Sequence, residues 1–181
     1  MRLCFVLVAT CGCALGFGSR AGAQAAMSNV VSAVVKGAWD DAKRNIRESA
    51  DQMPEANYGL KPADSVRTFG QILAHVAGAS YEFCAAAKGE KSPFSEDHFE
   101  KVATTKTTIV KAVEDSLAYC DGAYTSLTDA SAAESISMPF GMGKSPRIRA
   151  LLMNVGHLQE HYGNLVTYFR INGMVPPSSR R

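Results

Sequence analysis

The sequence has little that would announce a partner by charge. Among 181 residues, 19 are Lys or Arg and 17 are Asp or Glu, a formal net charge of only +2. Arg2 and Arg20 both fall in an N-terminal segment expected to be removed, which leaves 17 basic against 17 acidic side chains. A near-neutral domain has no field to gather nucleic acid or an anionic membrane surface. No apolar run reaches the ~20 residues that a membrane-spanning helix needs. Internal repeats, low-complexity blocks and divisive linkers are absent. So is sustained period-two alternation with hairpin turns, so strands are not required. Cysteine pairs at CxxC spacing are also missing, and no cysteine stands near a histidine at ligand spacing, which argues against a thiolate metal site. What remains is 46% apolar and 20% charged residues, the composition and length of one globular domain.

The N-terminus reads as a secretory signal. Arg2 supplies a positive start, Leu3 to Phe17 is small, apolar and uncharged, and Ala21-Gly22-Ala23 offers the small-x-small pattern of a cleavage site. Residues 1–23 are thus expected to be a signal peptide and residues 24–181, starting at Gln24, the exported domain, periplasmic or extracellular. A lipoprotein anchored through Cys11 or Cys13 is the alternative, although neither has a good small-residue context. Cleavage removes Cys4, Cys11 and Cys13 and leaves Cys84 and Cys120. These two either form a disulfide in an oxidising compartment or remain two buried thiols.

Four helix-length segments follow. The first runs from about Asn29 to Met53, with Val30, Val31, Val34, Val35, Ala38, Trp39, Ala42 and Ile46 as an apolar stripe, Ser28 or Asn29 as cap and Pro54 as stop. The second starts near Val66, capped by Asp64 or Ser65, and ends before Gly89 and Pro93. A third spans about Glu96 to Leu127; its Thr-rich stretch Thr104 to Thr108 forms helix weakly, so a late start near Thr105 is an option. Asp129 to Gly143 reads as a polar loop. The fourth helix opens at Ser145-Pro146 and stops at Asn172-Gly173 before Pro176-Pro177. Four helices, each with one apolar side, bury those sides together as an all-α four-helix bundle.

Only four histidines are present. His157 and His161 lie four residues apart on the last helix and so project from one face. They flank the stripe Leu151, Leu158 and Leu165, and Asn154 continues their three-four spacing. His75 sits in the apolar stretch Ile72-Leu73-Ala74-His75-Val76-Ala77. Any one of these could be a core histidine satisfied by a neighbour. Three inward imidazoles in one small bundle are more simply explained by a shared cation, because a buried imidazole without a partner is costly. Three nitrogen ligands suit Zn²⁺ or Ni²⁺ and leave a coordination position open for water or substrate. His98, in Glu96-Asp97-His98, reads as a solvated residue at a helix start. The segment His157-Leu158-Gln159-Glu160-His161 also matches the H-x-x-E-H pattern of a zinc peptidase. The carboxylate adjacent to His161 points about 100° away around the helix, and the chain is too small for that fold, so Glu160 reads first as a solvated residue.

Three stretches resemble a known family. Arg67-Thr68-Phe69-Gly70-Gln71-Ile72-Leu73-Ala74-His75-Val76-Ala77-Gly78 looks like the second-helix motif of the DinB/YfiT-like superfamily. His157-Leu158-Gln159-Glu160-His161-Tyr162-Gly163-Asn164-Leu165-Val166-Thr167-Tyr168-Phe169-Arg170 is similar to its final helix, and Asn172 to Ser179 to its ending. The resemblance spans about Val30 to Ser179. It implies a four-helix bundle with a long crossover between helices 2 and 3, and a metal held by His75, His157 and His161. It also implies that the two middle helices run parallel, which brings Cys84 and Cys120 to one end of the bundle and raises the standing of a disulfide. Some relatives are thiol-dependent transferases or isomerases, and many have no known reaction.

Three functional readings follow. The first is a metal-dependent transferase or hydrolase acting on a small-molecule substrate or thiol, with Asn154, Glu160 and Tyr162 as candidate helpers. The second is a non-catalytic metal- or ligand-binding protein of the cell envelope. The third is a metal-free helical interaction module. Nucleic acid is not an expected partner, no membrane span is expected after cleavage, and a homodimer is compatible with leftover apolar surface without any face being singled out.

Overall fold

The structure, a computed structural model, describes residues 29–180. The expected signal peptide, with Cys4, Cys11 and Cys13, lies outside the described residues. Helix α1 (Val30–Gln52) is followed by a single 3-10 turn, and α2 (Phe69–Lys88) by the short α3 (His98–Val102). Then come α4 (Lys106–Thr125), α5 (Asp129–Ala132), the strands β1 (Ser135–Ser137) and β2 (Lys144–Pro146), and α6 (Arg147–Ile171). The bundle is made of α1, α2, α4 and α6. Both α1 and α2 pack chiefly against α4 and α6, so α1 and α2 stand on opposite corners.

Local chemistry sets the helix limits. α2 begins three residues later than Val66 because Thr68 and Gln71 form a capping box: Gln71 N–H donates to Thr68 Oγ1, and Thr68 N–H to Gln71 Oε1. Neither Asp64 nor Ser65 is the cap. The same device, Thr105 with Thr108, starts α4. The late start is therefore the one adopted, and the expected single helix from Glu96 divides into α3 and α4. Asn29 occupies the cap position of α1 without capping it. Instead Asp129, at the head of α5, accepts from the backbone N–H groups of Val31 (3.2 Å) and Ser32 (2.7 Å). These bonds hold the Asp129 carboxyl below the usual carboxylate range.

The buried line of α1 also differs from the expected stripe. Val35, Trp39, Ala42 and Ile46 are in the core, but Val30, Val31 and Val34 are exposed. Stepping back three residues from Val35 lands on Ser32, which is buried, and leaves those valines beside the line. Residues 129–146 hold α5 and a two-stranded antiparallel ladder pairing Ser135 with Pro146 and Ser137 with Lys144. Strands are thus present, and Ser145-Pro146 ends β2 rather than opening the last helix. α6 stops at Asn172, with Gly173 in the left-handed conformation (φ 67°).

Residues 89–105 carry the chain from the end of α2 back to the start of α4, which makes α2 and α4 parallel. At their starts, Gly70 lies against Ile109. Near their ends, Cys84 and Cys120 are joined in a disulfide, their Cα atoms 5.3 Å apart. Elsewhere in the core, Trp39 stacks on Tyr124 with ring centroids 4.3 Å apart, and Phe69 meets Phe169 edge-on. No helix among the described residues is long and apolar enough to cross a membrane.

Candidate metal centre

α2 and α6 are antiparallel neighbours, and their shared seam brings the three expected histidines together. His75 Nε2 lies 3.1 Å from His157 Nε2, which lies 3.1 Å from His161 Nε2. One ring nitrogen from each falls within 4.8 Å of the other two. His75 and His161 are buried and His157 is half-buried.

Hydrogen bonding alone leaves this cluster poorly satisfied. His157 Nε2 faces two other nitrogens, and its single in-plane lone pair, or single proton, serves one of them well. The Nδ1 atoms of His157 and His161 have no partner among the described residues. His75 Nδ1 is 3.2 Å from Glu100 Oε1, close but outside hydrogen-bond alignment. A cation at the centre would take all three Nε2 lone pairs at once. Bonds of 2.0–2.1 Å to tetrahedral zinc imply nitrogen–nitrogen separations of about 3.3 Å, close to those present. The donor set therefore fits a first-row divalent ion.

The electrostatics keep these lone pairs available. Burial, reinforced by the neighbouring His161 and His75, drives the pKa of His157 down to about 3. Burial and His75 bring His161 to about 4. Burial and then Arg67 lower His75, against the opposing pull of Glu96 and Glu100. All three are neutral at pH 7, as nitrogen ligation requires.

Around His75 the crossover supplies carboxylates that the sequence reading did not include. Arg67 grips Glu100 through Nε (3.0 Å) and Nη2 (3.3 Å), and Glu100 in turn faces His75 Nδ1. Glu96 Oε1 is 3.6 Å from His75 Nε2. The crossover reaches this far because of Gly78, one turn beyond His75. A Cβ there would lie 2.0 Å from the carbonyl oxygen of Glu96, so only glycine admits the two backbones at this spacing. Gly78, the last residue of the Arg67–Gly78 motif, is the sequence feature that marks another segment's approach to this turn. A cleft of about 400 Å³ opens beside His161, lined by Arg67, Ile72, Glu160, Asn164 and Tyr168 among others.

The three candidate helpers separate. Glu160 sits on the cleft rim, exposed. Asn154 is fully buried, but its Nδ2 donates to Tyr124 Oη (3.1 Å) and lies against the disulfide sulfurs. Tyr162 donates to Ser178 Oγ and accepts from Ser178 N–H, both at 2.8 Å, which ties the C-terminal tail to α6. Neither Asn154 nor Tyr162 is hydrogen-bonded into the cluster, because their positions around α6 point them to the core and the tail. His98 opens α3 as expected, yet it is not simply solvated: it stacks on Phe94, centroids 4.7 Å apart, and is half-buried.

Known proteins share this architecture. A DinB-like protein from Bacillus cereus superimposes with a TM-score of 0.62 at 16% identity, over 79% of this chain and 93% of that one. A second DinB-like protein, from Bacillus subtilis, gives 0.62 at 18% identity over 81% and 99%. The mycothiol-dependent maleylpyruvate isomerase gives 0.61 at 16% identity, over 74% of this chain and 60% of the isomerase. No curated protein matches the sequence. The sequence profile of the DinB superfamily matches residues 38–165, a span that holds all three histidines, both cysteines and all four bundle helices in large part. The chain belongs to the DinB superfamily.

Proposed function

We propose that this DinB protein binds a divalent metal ion, Zn²⁺ or Ni²⁺, through His75, His157 and His161, and that it is a metal-dependent enzyme of the thiol-transferase or hydrolase type. The observation that carries the reading is the convergence of three neutral imidazoles from two helices, their Nε2 atoms crowded together. Three protein ligands leave a position for substrate. Likeness in fold to a mycothiol-dependent isomerase supports thiol chemistry as one of the two options.

When bound, such a cation supplies Lewis acidity and lowers the pKa of a water or thiol beside it. The chain's own residues do the rest. The imidazoles present lone pairs in fixed directions from rigid helices. Glu100, anchored by Arg67, stands where it can hold the Nδ1 proton of His75 and so keep its Nε2 free for the cation. The cleft beside His161 takes a small-molecule substrate, with Glu160 at its rim.

We further propose that the protein acts outside the cytoplasm, after removal of residues 1–23. The Cys84–Cys120 disulfide supports this, because such bonds persist in oxidising compartments. A non-catalytic metal-binding role in the envelope is the second reading, favoured by Glu96, whose carboxylate is near enough to His75 to contribute to a closed site. The experiment is a screen of thiol-transfer and hydrolytic substrates with metal-loaded wild type and His157→Ala. Turnover by the wild type that His157→Ala loses supports the enzyme; equal inertness of both across the screen leaves the binding role.

A further inference from the structure

The Glu96 carboxylate is held close to the metal centre and has no evident structural work. Among the described residues it pairs with no Lys or Arg, and its Oε1 stands 3.6 Å from His75 Nε2, the nitrogen that faces His157. Its backbone is fixed in place, since its carbonyl rests against Gly78 on the turn of α2 that follows His75. Its side chain is partly exposed and so free to turn. The nitrogen–nitrogen contacts in the cluster are 3.1 Å, and the carboxylate contact is similar to the ~3.3 Å edge of a tetrahedral site with 2.0–2.1 Å bonds. Yet Glu96 lies outside the set of atoms that are mutually within 4.8 Å. It is at coordination distance from one ligand and a side-chain rotation away from the rest.

From this juxtaposition we propose that Glu96 is a displaceable fourth ligand. It occupies the open position in the resting protein and yields it to an incoming anionic donor such as a thiolate. This rests on the three-histidine site proposed above. The exchange is a simple substitution: the carboxylate–cation contact breaks as the donor's forms, and no electron or proton is gained or lost. It also reconciles the two readings, because the same site is closed when idle and open to substrate. Removing Glu96 must then have opposite effects on two affinities. The cation is held less tightly, while a competing anion binds more tightly because it no longer displaces a tethered carboxylate.

The test uses the full chain loaded with Co²⁺ and azide as the anionic probe. Co²⁺ affinity is read by chelator competition and azide affinity by visible absorption, for wild type, Glu96→Gln and Glu96→Asp. The expected result is that Glu96→Gln binds Co²⁺ ~10-fold or more weakly and azide several-fold more tightly. Glu96→Asp keeps the charge but withdraws the oxygens by one methylene, so direct ligation predicts that it resembles Glu96→Gln. Wild-type affinities in Glu96→Gln, or a Glu96→Asp protein that behaves as wild type while Glu96→Gln does not, overturn the proposal and leave only the field of a nearby charge. If wild type takes up no Co²⁺, the three-histidine site itself falls, and the role of Glu96 with it.

Discussion

One turn of α6 separates two polar regions with opposite character. At Asn154 the chain has closed a small set on itself: a disulfide joins α2 to α4, the amide leans on both sulfurs, and the Tyr124 hydroxyl donates to the Leu151 carbonyl. At His157 three imidazoles crowd their Nε2 atoms together and leave Nδ1 atoms without partners. The first arrangement is closed by a covalent bond, with Asn154 Oδ1 as the one atom of this set left without a partner. The second is under-satisfied in a buried place, where unmet polar groups cost roughly 1–3 kcal/mol each. A fold tolerates such a group where something else completes it. One region holds the bundle together and the other is poised for a ligand, and variants in each should fail in different ways.

The largest expected effect lies in the closed region. Replacing Cys84 and Cys120 by Ala opens a loop with a sequence separation of 36. Chain-entropy arguments put the loss at about 4 kcal/mol, readable as a lower denaturant midpoint, while the metal content of the folded protein stays at the wild-type level. His157→Ala should do the reverse: metal affinity falls by ~100-fold or more, on the scale of losing one ligand of three, with metal-free stability little reduced. Gly78→Ala joins the two regions' logic. Its Cβ would overlap the Glu96 carbonyl, so it should cost about 1–3 kcal/mol as an overpacked contact and weaken metal binding, because the crossover carboxylates move with the backbone. Glu100→Ala should weaken metal by ~10-fold through loss of the acceptor that orients His75, seen in the same chelator competition.

The smallest effect near neutrality concerns pH. Burial holds His157 at about 3 and His161 at about 4 in the folded, metal-free protein, against about 6.5 for an unfolded histidine. Below that value the unfolded chain takes up protons that the folded chain refuses. The stability contributed by these neutral imidazoles is therefore complete above about pH 6.5 and is lost progressively as pH falls toward 4 and 3. Denaturation midpoints of the metal-free protein should fall slightly between pH 7 and 6, then more steeply. The double variant His157→Ala/His161→Ala should flatten the curve.

Much of this division could be read in the sequence, but unevenly. The histidine trio was legible because helical spacing fixes which residues share a face and because an apolar stretch carried His75 inward. The bundle and its crossover were legible from four stripes and a resemblance. Helix starts were less so: Thr68–Gln71 and Thr105–Thr108 outcompeted nearer Asp and Ser residues by bonding reciprocally, and the cap of α1 came from Asp129, some 98 residues away. Arg67, Glu96 and Glu100 carry no periodicity that ties them to His75. Their proximity depends on the path of the crossover, and Gly78 alone hinted that another backbone lies there. Asn154 and Tyr162 share a helix with the site but face away from it. Helical spacing gave their angle around α6 without saying which neighbour lay in that direction.

The most direct measurement is elemental analysis of the folded protein, purified without an affinity tag or added metal, for wild type, His75→Ala and His157→Ala. Convergence of α2 and α6 on one cation predicts about one divalent ion per chain in wild type and its loss from both variants, although the substituted residues sit on different helices. A metal-free wild type, or full metal content in His75→Ala, would contradict it.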